Sequence, residues 1–98
     1  MLTADDVLAI RFSTGNLFVS GYAADAVDRW LERVVSTLRA YEGDPEGELL
    51  LLASDARAVR FTARRGTASY EPAEVDDAID MIAVTLAMHE ATTGRGVG

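Results

Sequence analysis

The sequence has no cysteine and no lysine, one histidine (His89) and one tryptophan (Trp30). Without cysteine there is no disulfide and no thiolate metal site, and nothing points to an oxidising compartment. A lone histidine excludes a multi-histidine metal site within one chain. The nine basic residues are all arginine, set against 16 acids, for a net charge of −7. That balance excludes the broadly basic surface through which proteins displace counterions from nucleic acid. It also opposes uniform attraction to an anionic membrane and leaves room only for local basic spots. No apolar run approaches the roughly 20 residues of a transmembrane helix. The start, Met1-Leu2-Thr3-Ala4-Asp5-Asp6, has no basic stretch of the kind that opens a secretory signal. A cytoplasmic protein is the expectation.

The signatures of catalysis are missing as well. There is no cysteine nucleophile, no Gly-x-Ser-x-Gly elbow and no phosphate-binding loop. Carboxylates are plentiful, with Asp25, Asp28 and Glu32 in one segment and Glu74, Asp76, Asp77 and Asp80 in another. Acids in the first turns of helices are explained by the helix dipole and by solvation, and their spacing matches no calcium-binding loop. The chain reads as a non-enzyme with no cofactor.

What is present is one domain's worth of sequence, 98 residues, 49% of them hydrophobic. A chain this short buries only about 60–65% of its unfolded surface, so its stability margin is thin. It also repeats itself. Ala4-x-Asp6-x-x-Ala9-Ile10-Arg11-Phe12 recurs as Ala53-x-Asp55-x-x-Ala58-Val59-Arg60-Phe61, an offset of 49. Tyr22, Val27 and Asp28 recur as Tyr70, Val75 and Asp76, and Thr37-Leu38 and Glu42 as Thr85-Leu86 and Glu90, an offset of 48. Residues 1–98 therefore form a single domain of two repeats, approximately 2–43 and 52–92, joined by a linker at 44–51.

Each repeat reads as a short helix, a loop and a long helix. Thr3 is placed to cap a helix over about 4–10, with acids in its first turn. Gly43 is placed to end a helix over about 24–42, and Pro72 to begin its counterpart. The connection is ambiguous. Asp44-Pro45-Glu46 is a good helix start, and Leu49–Ala53 suits a buried helix running on to Val59. A short β-hairpin around 48–62 is the alternative, since periodicity does not decide a short apolar run.

The long helices carry matching seams. Val27, Leu31, Val34 and Leu38 are spaced 4, 3, 4, and Val75, Ile79, Ile82 and Leu86 repeat that spacing in register. This is the two-position seam of a coiled-coil heptad. The expected fold is mainly α: two tandem helix-loop-long helix units packed through heptad-like seams as a pseudo-two-fold helical bundle. The seam residues are expected in the core. The helices pair in parallel or antiparallel within one chain, or across a homodimer.

Phe12-Ser13-Thr14, Gly21-Tyr22 and Asp25-Ala26-Val27-Asp28-Arg29-Trp30-Leu31-x-x-Val34 together resemble the short N-terminal domain of DivIVA-type bacterial cell-division and polar-growth proteins. Ser69-Tyr70-Glu71-Pro72-Ala73-Glu74-Val75-Asp76-Asp77-Ala78-Ile79-Asp80 resembles the same domain a second time. The resemblance implies a non-catalytic scaffold whose members dimerise through parallel helices. It also implies a loop before each long helix that presents an apolar side chain and a nearby basic residue to the membrane. Here the first loop, Gly15-Asn16-Leu17-Phe18-Val19-Ser20, is apolar without a base; the second, Ala63-Arg64-Arg65-Gly66-Thr67-Ala68, is basic without an aromatic. Leu17, Phe18, Arg64 and Arg65 are thus the candidate partner or membrane contacts. The expected partner is the chain itself or a DivIVA-like protein. A weak contact with anionic lipid at the inner face of the plasma membrane is the second reading.

Overall fold

A computed structural model describes residues 1–94. The first repeat forms helix α1 (Ala4–Leu8), strand β1 (Ser20–Ala23) and helix α2 (Ala24–Tyr41). The second forms helix α3 (Ala53–Ala58), strands β2 (Ala63–Arg65) and β3 (Ser69–Tyr70), and helix α4 (Pro72–Thr93). The short helices begin as the residue types dictate. Thr3 Oγ1 accepts from Asp6 N at 3.1 Å while Asp6 Oδ2 accepts from Thr3 N at 2.9 Å, a reciprocal cap. In α3 Leu52 has no side-chain acceptor, so only the return bond remains, from Leu52 N to Asp55 Oδ2 at 2.8 Å. Gly43 and Gly94 take φ of 87° and 78° just past the long helices, where a left-handed residue ends the helix.

The purely helical bundle expected from the sequence is corrected by a three-stranded antiparallel sheet in the order β2-β1-β3. The strands fall where loops were expected, and they interlock the repeats. Strand β1 of the first repeat is flanked on both sides by strands of the second. Tyr22 pairs with Ala63 in one direction, and Thr14 bridges to Tyr70 in the other. Ala23 N donates to Thr62 O at 2.8 Å and Glu71 N donates to Ser13 O at 2.9 Å, the same bond at both repeat positions. Gly21 is buried beneath this crossing, and a Cβ there would run into the carbonyl of Tyr70, so the close approach of the two chains requires glycine.

The hairpin around 48–62 does not form, and neither does a helix from Asp44. Residues 53–58 are helical, and β2 pairs with β1. Residues 47–52 lie along α2 without regular structure, because α2 accepts the N–H groups of Glu48, Leu50 and Leu51. Glu48 N donates to Ser36 O at 3.1 Å, and Leu50 N and Leu51 N both donate to Thr37 Oγ1 at 3.2 Å.

Helix α1 packs on α2 and α3 packs on α4. Both long helices leave the sheet from adjacent strands, and at their far ends the rings of Tyr41 and His89 stack at 4.5 Å with 4° between planes. The helices therefore run in the same direction within one chain. Val27, Val34, Leu38, Val75, Ile82 and Leu86 are fully buried, as the seam requires. Leu31 and Ile79 are only half-buried. Trp30, Val35, Ala83 and Leu51 join Leu38, Ile82 and Leu86 in the same core.

Candidate functional site: the loop end of the sheet

Two loops meet where β1 begins and β2 ends, at the Ser20–Arg65 pair. Asn16 organises the first. Its Oδ1 accepts from Phe18 N at 2.9 Å, the Asx turn that asparagine favours, and its backbone carbonyl accepts from Val19 N at 3.4 Å. The same carbonyl accepts from Gly66 N of the second loop at 2.9 Å, which joins the two loops directly. Gly66 has φ of 86°, a left-handed conformation that a side chain would strain. Its carbonyl accepts from both the backbone N (3.2 Å) and the hydroxyl (2.8 Å) of Ser69.

This scaffold turns the apolar side chains outward. Leu17 is 75% exposed, Phe18 89% and Val19 52%. Arg65 pairs with Ser20, the residue after Val19, and Arg64 pairs with Gly21. Neighbouring strands lie about 4.8 Å apart, and successive residues point to opposite faces. Arg64 and Arg65 thus leave the strand beside the apolar turn toward opposite faces of the sheet. All residues of β2 are exposed, and neither arginine has an ion pair among the described residues. The four residues singled out by the sequence are brought together at one end of the molecule. The eight seam residues lie elsewhere, between and beneath the long helices.

The sequence did not foretell a second feature, a pair of matching clefts on the flanks, of about 540 and 430 Å³. One is walled by Arg11, Phe12, Asp28, Leu31, Glu32 and Tyr70. The other is walled by their repeat mates Arg60, Phe61, Asp76, Ile79, Asp80 and Tyr22. In each, the tyrosine comes from the opposite repeat. The ring of Tyr70 lies tilted against Phe12 at 5.2 Å, and that of Tyr22 against Phe61 at 5.6 Å. The clefts explain why Leu31 and Ile79 are half-buried, since each forms part of a cleft floor. Hydrogen bonds to Asp28 and Asp76 push the hydroxyls of Tyr70 and Tyr22 above the usual tyrosine range, with some help from burial and from the carboxylate charge. Both clefts mix acid with arginine, so neither selects one ligand charge. The repeated Tyr and Asp were visible in the sequence; their pairing across repeats depends on strand exchange, which was not.

Among the described residues no group of three or more His, Asp or Glu is placed to hold a metal ion. No helix among them is long and apolar enough to cross a membrane. In comparisons with known proteins, no family model matches the chain, and neither a curated protein nor a solved structure matches it.

Proposed function

We propose that this protein is a non-catalytic scaffold module that docks by the loop end of its sheet onto an anionic bilayer, at the inner face of the plasma membrane. The observation that carries the reading is the exposed Leu17-Phe18-Val19 turn with Arg64 and Arg65 on the strand next to it. The resemblance to DivIVA-type N-terminal domains supports it. That family's pairs of chains use parallel helices and an apolar loop with a nearby base, and here two repeats of one chain supply the parallel helices, one the apolar turn and the other the bases. The seams are spent inside the chain, so helix pairing is an internal device and the loop end is left for contact.

The magnitudes set the mode of action. Burying Phe18 contributes about 1.5–3 kcal/mol, and each arginine near anionic lipid about 1 kcal/mol. The net charge of −7 opposes both. One copy binds marginally, and firm attachment needs several linked copies or a second membrane signal. Co-sedimentation with phosphatidylglycerol-rich vesicles tests the reading. Binding is expected to weaken with added salt, to fall for Phe18→Ala and for Arg64→Ala with Arg65→Ala, and to be lost on phosphatidylcholine vesicles. Absence of binding, or binding that these changes leave untouched, overturns it.

A further inference from the structure

The two halves differ in what lies along their long helices. On α2 the face bearing Ser36, Thr37 and Ala40 is covered by residues 47–51. Besides the bonds already described, Glu48 N donates to Ser36 Oγ at 3.0 Å. Gly47 sits so close over the backbone of Ala40 that a Cβ would have no room. On α4 only the last step of this is reproduced. Leu2 N donates to Thr85 Oγ1 at 3.2 Å, as Leu51 N does to Thr37 Oγ1. The rest of the corresponding face is bare: Met81, Val84 and Met88 are 55%, 57% and 49% exposed. With Met1 and Leu2 they bound a shallow apolar cleft of about 530 Å³, with Asp80 at its edge.

The side chains on this face select what can cover it. Val84 stands where α2 has Ser36, so the hydroxyl that holds the covering chain is gone. Met88 stands where α2 has Ala40, and its bulk prevents the close approach that Gly47 makes. An extended segment like 47–51 is therefore not held on α4. The spacing 81, 84, 88 is instead the ridge that packs against another helix, and methionine side chains adapt to the surface they meet. Charge narrows the choice further. Helix α4 has no arginine, and of its five acids Glu74, Asp76 and Glu90 accept bonds from Ser13, Tyr22 and Ala53, which leaves Asp77 and Asp80 for the stripe. Asp77, one turn before Met81, heads the stripe, and Asp80 borders it. A second copy docked stripe to stripe would set Asp77 and Asp80 against the same acids. A basic helix would bring complementary charge.

We propose that the Met81-Val84-Met88 stripe of α4 is the docking site for a basic amphipathic helix of a protein partner. The stripe is remote in sequence and structure from the loop end, so it stands or falls apart from the membrane reading. The probe is a fluorescent amphipathic peptide of about 18 Leu and Lys residues with its leucines on one helical face; a peptide of the same composition in scrambled order is the control. Anisotropy should show saturable binding of the first peptide and at least roughly tenfold weaker binding of the second. Met81→Ser with Met88→Ser should weaken binding by a similar factor, whereas Phe18→Ala should not. Because both methionines are exposed, the double variant should keep its circular dichroism spectrum. Independently of any variant, the ¹³C-methyl resonances of Met81 and Met88 in the unaltered protein should shift on titration. Equal binding of the scrambled peptide, or unmoved methyl resonances, overturns the proposal. So does a dimer by light scattering that the methionine changes dissociate, which would make a second copy the occupant.

Discussion

Tyr70 of the second repeat donates its hydroxyl to Asp28 of the first at 2.8 Å, and Tyr22 of the first donates to Asp76 of the second at the same distance. Each bond ties the strand of one repeat to the long helix of the other. Both are near the surface, so each contributes modestly, about 0.5–1.5 kcal/mol. In urea unfolding, Tyr70→Phe and Asp28→Asn are each expected to cost about that much. The double variant should cost little more than either alone, because both remove one bond. Fully additive losses would show that the pair does not act as a unit.

The core is expected to distinguish seam residues that look equivalent in the sequence. Leu38 is fully buried, and Leu38→Ala should cost about 2–5 kcal/mol. In so small a domain that approaches the whole stability. Leu31 has the same residue type and heptad role but borders a cleft, so Leu31→Ala should cost clearly less. Thermal melts of the two variants check the order.

Gly21→Ala tests the strand crossing. The added methyl meets the Tyr70 carbonyl, and backbone rather than a flexible side chain must move. A loss of about 1–3 kcal/mol is expected, against a negligible change for a substitution at exposed Ser20 in the same strand.

Stability should fall at both extremes of pH. A backbone hydrogen bond from Ser13 N, at 2.8 Å, holds the Glu74 carboxyl below its usual range, and a bond from Thr3 N does the same for Asp6. A lowered folded-state value favours the charged form, so this stabilisation is present above the unfolded value of about 4 and is lost as pH falls through the folded one. The tyrosines work in the opposite sense. Their raised values favour the protonated hydroxyl, so their stabilisation is complete below about pH 10 and is lost as pH rises through the folded value. Melting temperature against pH should show a plateau with two falling limbs. Glu74→Gln should flatten the acid limb, and Tyr22→Phe with Tyr70→Phe the alkaline one.

The helices were legible because their signals are local and long. Thr3, Gly43 and Pro72 mark helix ends, and the paired seams mark the buried faces. The strands were hidden for the converse reason. They have four, three and two residues, include Gly21 and Ser69, and are too short for alternation to show. Their pairing also joins residues some 45 positions apart, as Ser20 with Arg65, which no local pattern reports. The linker misled for a related reason. Asp44-Pro45-Glu46 is a sound helix start, but Thr37 and Ser36 of α2 take up the N–H groups that a helix would have used internally. The loop residues Leu17, Phe18, Arg64 and Arg65 were singled out by what the resemblance implies for the loops, and the pairing of β1 with β2 together with the bond from Gly66 to Asn16 makes them neighbours. The bare stripe on α4 was concealed because Met81, Val84 and Met88 read as ordinary apolar positions until their mates on α2 are seen to be covered.

The tyrosine strands cross between halves that belong to one polypeptide, and this frees the surface from an obligation that identical subunits share. When two like chains assemble around an axis, any change of residue is made on both sides at once. Joined in tandem, each half drifts alone, so one turn is oily where its twin is charged, and one long helix is sheathed where the other is naked. The molecule keeps the mechanical economy of a symmetric pair while acquiring a front, a back and a sidedness that such a pair is denied.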